Sequence, residues 1–158
     1  MYVTTTQNLY GLYLASIVMF KIVVLYLTKD IFKGYSFGKR PSNAMNCNLF
    51  NCGGKSLSPG YPSGHMMNVG LFFMIIYPTI NPENKNKYFI LGLVVAITTG
   101  IGRYILDCHT LFQVISGLFY GLLVGYALNE IETRVLTMNE SYRKDKEIFI
   151  KDINGLYK

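Results

Sequence analysis

The segment Arg103–Gln113, RYILDCHTLFQ, is a short polar stretch between two long apolar runs of the sequence. A second polar stretch, Tyr61–His65 or YPSGH, stands at the edge of another apolar run, and the two stretches contain both histidines of the chain. Apolar runs of this length predict helices. We therefore expect the helices to bring His65 and His109 face to face at one end of a bundle.

The composition indicates a membrane protein. A chain of 158 residues predicts one domain, and 51% hydrophobic with 15% charged residues is too apolar for an ordinary soluble domain of this size. The fold class expected is all-α, an integral membrane helical bundle of about four transmembrane helices. The four predicted spans are Leu9–Thr28, His65–Ile80, Tyr88–Leu106 and Thr110–Leu128. Residues 1–128 would form the membrane-embedded core and residues 129–158 a charged tail.

Two features of the spans leave alternatives open. The first span contains Lys21, which is costly at that depth unless it snorkels, packs inside the bundle or has a direct function. The last span has Gly117, Gly121 and Gly125 four residues apart, which would allow close helix contact along one face, although glycines are common in membrane helices. The first span lacks a basic segment before it and a clear cleavage site after it, so we expect it to be retained.

Four spans determine which connections share a membrane face. The loop Lys29–Gly64 and the turn Asp107–His109 would lie on one side, and the turn Asn81–Lys87 and the tail on the other. Both histidines and most loop cations would then meet at one face of the membrane.

The distribution of charge argues against nucleic acid as a partner. The formal net charge is +6, but the tail is neutral and the excess cations lie mainly in one polar connection, with no basic helix face to follow a duplex. The expected partner at this point is the bilayer. The sequence does not indicate an oligomeric state.

Cysteines and lysines bear on the orientation. Cys47 and Cys52 lie in the predicted active-site loop and could form a disulfide or remain two free thiols. If Lys85, Lys87 and the tail follow the positive-inside tendency, the active site faces the extracytoplasmic or lumenal side, although the opposite loop carries nearly as many cations.

Two imidazoles beside several cations suggest phosphoryl transfer. Imidazole can act as a nucleophile or general acid near neutral pH, and arginine and lysine stabilise the oxygens of a phosphoryl group in the transition state.

Three motifs carry a resemblance to a known family. Lys33 with Arg40 and Pro41 matches K-x6-R-P, residues 62–65 match P-S-G-H, and Arg103 with His109 matches the core of S-R-x5-H-x3-D. In this order the motifs resemble those of the type-2 phosphatidate phosphatase superfamily, which comprises membrane-embedded lipid phosphatases. The resemblance covers roughly residues 33–113.

The resemblance implies a role for each matching residue. His109 would be the nucleophile that becomes a phosphohistidine, and His65 the general acid for the leaving oxygen. The phosphoryl oxygens would be held by a set of side chains and one backbone amide: Lys33, Arg40, Arg103, Ser63 and the N–H of Gly64. No metal and no cofactor is implied.

Two positions depart from the common pattern. Gly102 replaces the usual serine, and Gln113, counted with the catalytic residues, replaces an aspartate that would orient His109. The sequence predicts that Gln113→Asp would maintain or raise the rate by stabilising the imidazolium, with Asp107 as an alternative partner of His109.

The residues around Gln113 also indicate a branch of the superfamily. Residues 109–114, HTLFQV, resemble the H-T-x-x-Q-V of dolichyl diphosphatases, which favours a polyprenyl diphosphate substrate over phosphatidate. The P-S-G-H motif argues against this branch, because dolichyl diphosphatases commonly have P-S-S-H at the same place. A lipid phosphotransferase and a non-catalytic protein that binds lipid phosphate remain alternatives.

Overall fold

A computed structural model describes residues 9–44 and 58–155, and every regular element in these residues is helical. Short 3-10 turns flank several helices. The five α-helices are α1 (Leu9–Phe32), α2 (Gly64–Ile76), α3 (Lys85–Ile105), α4 (Leu111–Arg134) and α5 (Glu140–Gly155). The all-α bundle predicted from the sequence is confirmed.

Three helical segments are long and apolar enough to cross a membrane, namely Leu9–Phe32, Pro82–Ile105 and Leu111–Met138. The second predicted span is shorter than expected, because α2 has 13 residues and passes into a 3-10 turn at Tyr77–Thr79 that contains Pro78. Thirteen residues rise only about 20 Å, less than the thickness of a hydrocarbon core.

The helices alternate in direction. Gly64 at the start of α2 lies against Leu25 near the end of α1, and Tyr13 at the other end of α1 donates a hydrogen bond to the carbonyl oxygen of Leu128 in α4. Gly100, near the end of α3, lies beside Val114 in the first turn of α4. Therefore α1 and α3 end where α2 and α4 begin, and both histidines lie at that end.

Small residues hold α2 and α4 together. A methyl group at Gly117 would overlap the carbonyl oxygen of Ser63, and one at Gly121 would overlap that of Met67. Further along, a methyl group at Gly125 would lie 2.6 Å from Cβ of Met74. The two helices thus run parallel and in close contact, as the spacing of the glycines allowed.

The charged tail packs on the opposite end of the bundle. The phenol of Tyr142 donates a hydrogen bond of 2.7 Å to Glu132, and Lys146 forms an ion pair of 2.5 Å with the same buried carboxylate. Asp145 accepts a bond from the backbone N–H of Leu9. The division expected after Leu128 lies inside α4, which continues to Arg134.

Candidate active site

One cavity of about 380 Å³ lies at the shared end of α1, α2 and α4. The described residues that line it include three cations and both histidines, and none of them is Asp or Glu. The lining residues are Lys21, Ile22, Leu25, Tyr26, Lys29, Arg40, Ser58, Gly64, His65, Asn68 and His109. Positive charge without a carboxylate suits the cavity to an anion.

Arg40 lies directly beside His109. Its Nη1 donates 2.7 Å to the carbonyl oxygen of Cys108 and lies 3.4 Å from Nε2 of His109. Its Nε and Nη2 bond to the carbonyl and hydroxyl oxygens of Ser58, at 3.0 and 3.2 Å. These bonds fix the guanidinium next to Nε2 of His109, which is where a phosphoryl group attached to that nitrogen would need a cation.

Gln113 holds the other side of the imidazole. Its Oε1 lies 3.1 Å from Nδ1 of His109 and 3.3 Å from the backbone nitrogen of Thr110, whose hydroxyl in turn accepts from the N–H of Gln113. This reciprocal pair is a capping box at the start of α4. The last turn of the α3–α4 connection is thereby fixed to the helix that follows.

The amide nitrogen of Gln113 also holds the loop that carries Arg40. Nε2 donates 2.8 Å to the carbonyl oxygen of Phe37 and 2.7 Å to that of Lys39. The rings of Phe37, Tyr61 and Phe112 pack beside this contact with centroids 5.1 to 5.9 Å apart. One buried side chain therefore links the nucleophile candidate to the backbone on either side of residue 38.

These contacts determine the tautomer of His109. Carbonyl oxygens can only accept, so the Gln113 amide group must direct its N–H bonds to Phe37 and Lys39 and its oxygen to the imidazole. The oxygen accepts a proton from Nδ1, while the guanidinium of Arg40 can only donate toward Nε2. In the neutral ring Nε2 consequently keeps its lone pair, on a histidine that lines the cavity.

Burial and the Arg40 charge lower the pKa of His109 to about 3, against a smaller opposing effect of the hydrogen bond to Gln113. A lowered pKa keeps the ring neutral down to acidic pH. Because the chain has two histidines, His65→Asn leaves His109 as the only one. We expect ¹⁵N NMR of this variant to show protonated Nδ1, unprotonated Nε2 and no titration between about pH 5 and 8. A midpoint near 6.5 would contradict this environment.

Of the other predicted site residues, some line the cavity and some do not. His65 and Gly64, in the first turn of α2, line the cavity. Ser63 is fully buried, its N–H donates to the carbonyl oxygen of Gln113, and its hydroxyl has no hydrogen-bond partner among the described residues. Arg103 does not line the described cavity. The pKa of Arg40 is lowered mainly by burial and further by the positive charge of Arg103. The guanidinium groups are thus close enough to interact.

Lys33 lies outside the cavity. Helix α1 ends at Phe32, so Lys33 belongs to the following turn, and its Nζ pairs with Asp30 at 2.6 Å while 63% of its side chain is exposed. Lys29, one turn earlier, lines the cavity and donates to the carbonyl oxygen of Pro59. The structure places Lys29 at the cavity, one turn before Lys33, which the motif led us to expect there.

A matched pair of substitutions tests this placement. We expect Lys29→Gln to lower kcat/KM for a lipid phosphate about tenfold or more, because it removes a cation from the cavity. Lys33→Gln removes the same charge from an exposed ion pair, and we expect a change of less than about twofold. Equal losses in the two variants would show that Lys33 reaches the substrate.

Asp107 and Gly102 take no part in orienting the imidazole. Asp107 has a left-handed backbone (φ 51°) that ends α3, and Nδ1 of His109 is held by Gln113 instead. Added to Gly102, a methyl group would meet no described atom within 4 Å. The serine usual at that position would find open space rather than a neighbour.

Sequence reasoning missed Gly60. A methyl group there would lie 2.5 Å from Oε1 of Gln113 and 2.8 Å from Cγ of Arg40, and the N–H of Gly60 donates to the carbonyl oxygen of Gly38. The Pro59-Gly60 pair just before the P-S-G-H motif was the available signal, since glycine often marks a close approach of the backbone.

Cys108, next to the nucleophile candidate, is disulfide-bonded. The other two cysteines, Cys47 and Cys52, between which the sequence left open a disulfide or two free thiols, lie outside the described residues.

Comparison with known proteins identifies the family of the chain. A model of the PAP2 superfamily matches residues 10–135. Phosphatidylglycerophosphatase B of Bacillus subtilis (strain 168) is 29% identical over 82 residues, which cover 48% of this chain and 40% of that protein. No solved structure gives a significant match. The relative is not a dolichyl diphosphatase, so that branch stays a prediction. The match over most of the chain shows that it belongs to the PAP2 superfamily, whose members are phosphatases.

Proposed function

We propose that this integral membrane protein is a lipid phosphatase that removes a terminal phosphate through a phosphohistidine at His109. The observation that supports it best is the environment of His109, which lines a cationic cavity and whose Nε2 lies 3.4 Å from the guanidinium of Arg40. A neutral imidazole held in one tautomer is ready to attack phosphorus without first losing a proton.

The first step makes one bond and breaks one. Nε2 of His109 attacks the terminal phosphorus, and the bond from phosphorus to the leaving oxygen breaks, while Arg40 and Lys29 stabilise the charge on the remaining phosphoryl oxygens. His65 gives a proton to the leaving oxygen. The products of this step are the dephosphorylated lipid and a phosphohistidine whose Nδ1–H is still held by Gln113.

The second step returns the enzyme to its starting state. His65, now neutral, accepts a proton from a water molecule that attacks the phosphorus on the side opposite His109. The P–N bond breaks, its electron pair returns to Nε2, and inorganic phosphate leaves the cavity.

For the substrate we propose a polyprenyl diphosphate, on the strength of the HTLFQV sequence at residues 109–114. The name of the relative, phosphatidylglycerophosphatase B, supports phosphatidylglycerophosphate as a second candidate. Phosphatidate is a third. All three end in a phosphate monoester or anhydride on a lipid.

A panel of lipid phosphates tests the function and the substrate together. We expect purified protein to release phosphate from at least one of the three lipids with no added divalent metal and with undiminished rate in a chelator. The highest kcat/KM identifies the substrate class. Transfer of phosphate to an added alcohol in preference to water would indicate a phosphotransferase, and binding without release a non-catalytic protein.

We propose that the active site faces the extracytoplasmic or lumenal side. A disulfide at Cys108 is supported by oxidising compartments and rarely persists in the cytosol. In a variant whose three native cysteines are replaced by serine, a single cysteine placed at the exposed position of Lys33 should react from that side with a membrane-impermeant thiol reagent, in intact cells or sealed vesicles of known orientation. Labelling only after the membrane is permeabilised would reverse the orientation.

A further inference from the structure

Lys21 is a buried cation inside a membrane-spanning helix. Only 7% of its surface is exposed, and it lines the same cavity as both histidines. Among the described residues, no carboxylate lies within ion-pair distance of its Nζ. A charged side chain at this depth is costly and is retained where it meets a partner of opposite charge. The cavity that Lys21 lines is the open space in which such a partner would bind.

Lys21 and Asn68 lie deeper in the cavity than the reacting groups. Lys21 precedes Lys29 by two helical turns, about 12 Å along α1, and α1 runs toward the active-site end. Asn68 follows His65 by one turn on α2, which runs away from that end. A cation and an amide from two helices therefore line the same cavity, and their backbones lie farther from the active-site end than those of Lys29 and His65.

In a lipid that carries two phosphates, the second phosphate would lie at this depth of the cavity. In such a lipid the terminal phosphate is outermost, the second phosphate follows, and the tail enters the membrane. With the terminal phosphorus at Nε2 of His109, the second phosphate would lie between the histidines and the hydrocarbon. That is the level of Lys21 and Asn68, whereas a lipid with one phosphate places only uncharged atoms there.

We propose that Lys21 and Asn68 bind the second phosphate of a lipid that carries two phosphates, and so determine specificity against lipids with one. The inference rests on the proposed function for the position of the terminal phosphate. Both polyprenyl diphosphate and phosphatidylglycerophosphate have a second phosphate, joined to the first directly or through glycerol. Lys21 donates charge-assisted hydrogen bonds and Asn68 donates from its amide nitrogen.

The test compares two pairs of lipids that have the same tail. One pair is farnesyl diphosphate with farnesyl monophosphate, and the other is phosphatidylglycerophosphate with phosphatidate. Affinities are measured in a His109→Asn background, so that no turnover is needed. We expect Lys21→Met to reduce the preference for the two-phosphate member about tenfold. Asn68→Asp, which places a carboxylate beside the second phosphate, should reduce it at least as much.

Lys87→Met is the matched control, since Lys87 is an exposed lysine at the opposite end of the bundle. It removes the same charge and should keep the preference. If the preference is lost only in the farnesyl pair, the result supports the proposal and identifies a diphosphate as the bound group. If it is lost only in the phosphatidylglycerophosphate pair, the result supports the proposal and identifies two phosphates linked through glycerol. An unchanged preference in both variants, or an equal loss of affinity for one-phosphate and two-phosphate lipids, would overturn it.

The same measurement separates this inference from the proposed function. If the wild-type protein released no phosphate from any lipid, the function would be refuted, but the preference in the His109→Asn background would still report on Lys21. Folding is monitored by thermal unfolding in detergent. Methionine at position 21 removes a charge from the bundle interior and should not lower the midpoint.

Discussion

Replacement of His109 by asparagine is expected to lower phosphate release by about 10⁴-fold or more, the size of loss seen when an enzyme loses its nucleophile. Asparagine can still fill the buried position, where only 3% of the histidine is exposed, but has no ring nitrogen to attack phosphorus. Rapid quenching of the wild-type reaction with radiolabelled substrate should trap phosphate on the protein in a form that is stable to base and labile to acid. The variant should trap none.

His65→Asn is the control for this result. In the proposed mechanism His65 gives its proton to the leaving oxygen, so the loss should be large for a lipid monoester and small for an activated phosphate ester whose leaving group needs no proton. Phosphoenzyme should still form in this variant. A His109→Asn protein that retained more than about a tenth of the wild-type rate would remove the nucleophile assignment.

Gln113→Leu is expected to cause the second large loss, about a hundredfold to 10⁴-fold in kcat. The change leaves the carbonyl oxygens of Phe37 and Lys39 without their buried donor and frees Nδ1 of His109. Each unpaired group costs about 1–3 kcal/mol. NMR of the histidine should show a mixture of tautomers, which a purely structural effect elsewhere would not produce.

The structure reverses the outcome expected from the sequence for Gln113→Asp. Aspartate is shorter and can donate to neither carbonyl oxygen, so it should lower the rate rather than maintain it. Gln113→Glu keeps the length and gives a sharper test. As a carboxylate it repels both carbonyl oxygens, whereas the protonated acid donates to one of them, so its activity should rise as the pH falls. A rate in Gln113→Glu that is independent of pH and equal to wild type would show that the loop contacts do not matter.

The general architecture was predictable because it depends on apolar length and on parity. Four apolar runs determine which connections share a face, and this placed His65 and His109 together without any knowledge of side-chain contacts. The glycines of α4 indicated close contact, though not with which helix. The structure shows that their partner is α2, through contacts spread along the length of that helix. No single residue of the sequence indicates this pairing.

The details of the site depended on where helices end. Lys29 and Lys33 are four residues apart, and the sequence alone did not show that the helix carries Lys29 to the cavity while Lys33 lies in the turn after its end. For Gln113, the spacing to His109 and the T-x-x-Q capping signature were both present in the sequence. Its bonds to Phe37 and Lys39 join residues more than 70 positions apart, and local patterns carry no information about them.

The position of the cavity on α1 affects how a substrate arrives. Ile22 and Tyr26 line the cavity, yet 36% and 70% of their surfaces are exposed on a helix whose neighbouring Val23 and Leu27 are exposed as well. In a bilayer this side contacts lipid, so a substrate can enter by diffusing within its own leaflet. The rate of encounter then follows the mole fraction of the substrate among its neighbours rather than its amount in the suspension. For the lipid phosphatase that we propose, other phosphorylated lipids of the leaflet would be competitors, and we expect the rate to depend on membrane composition.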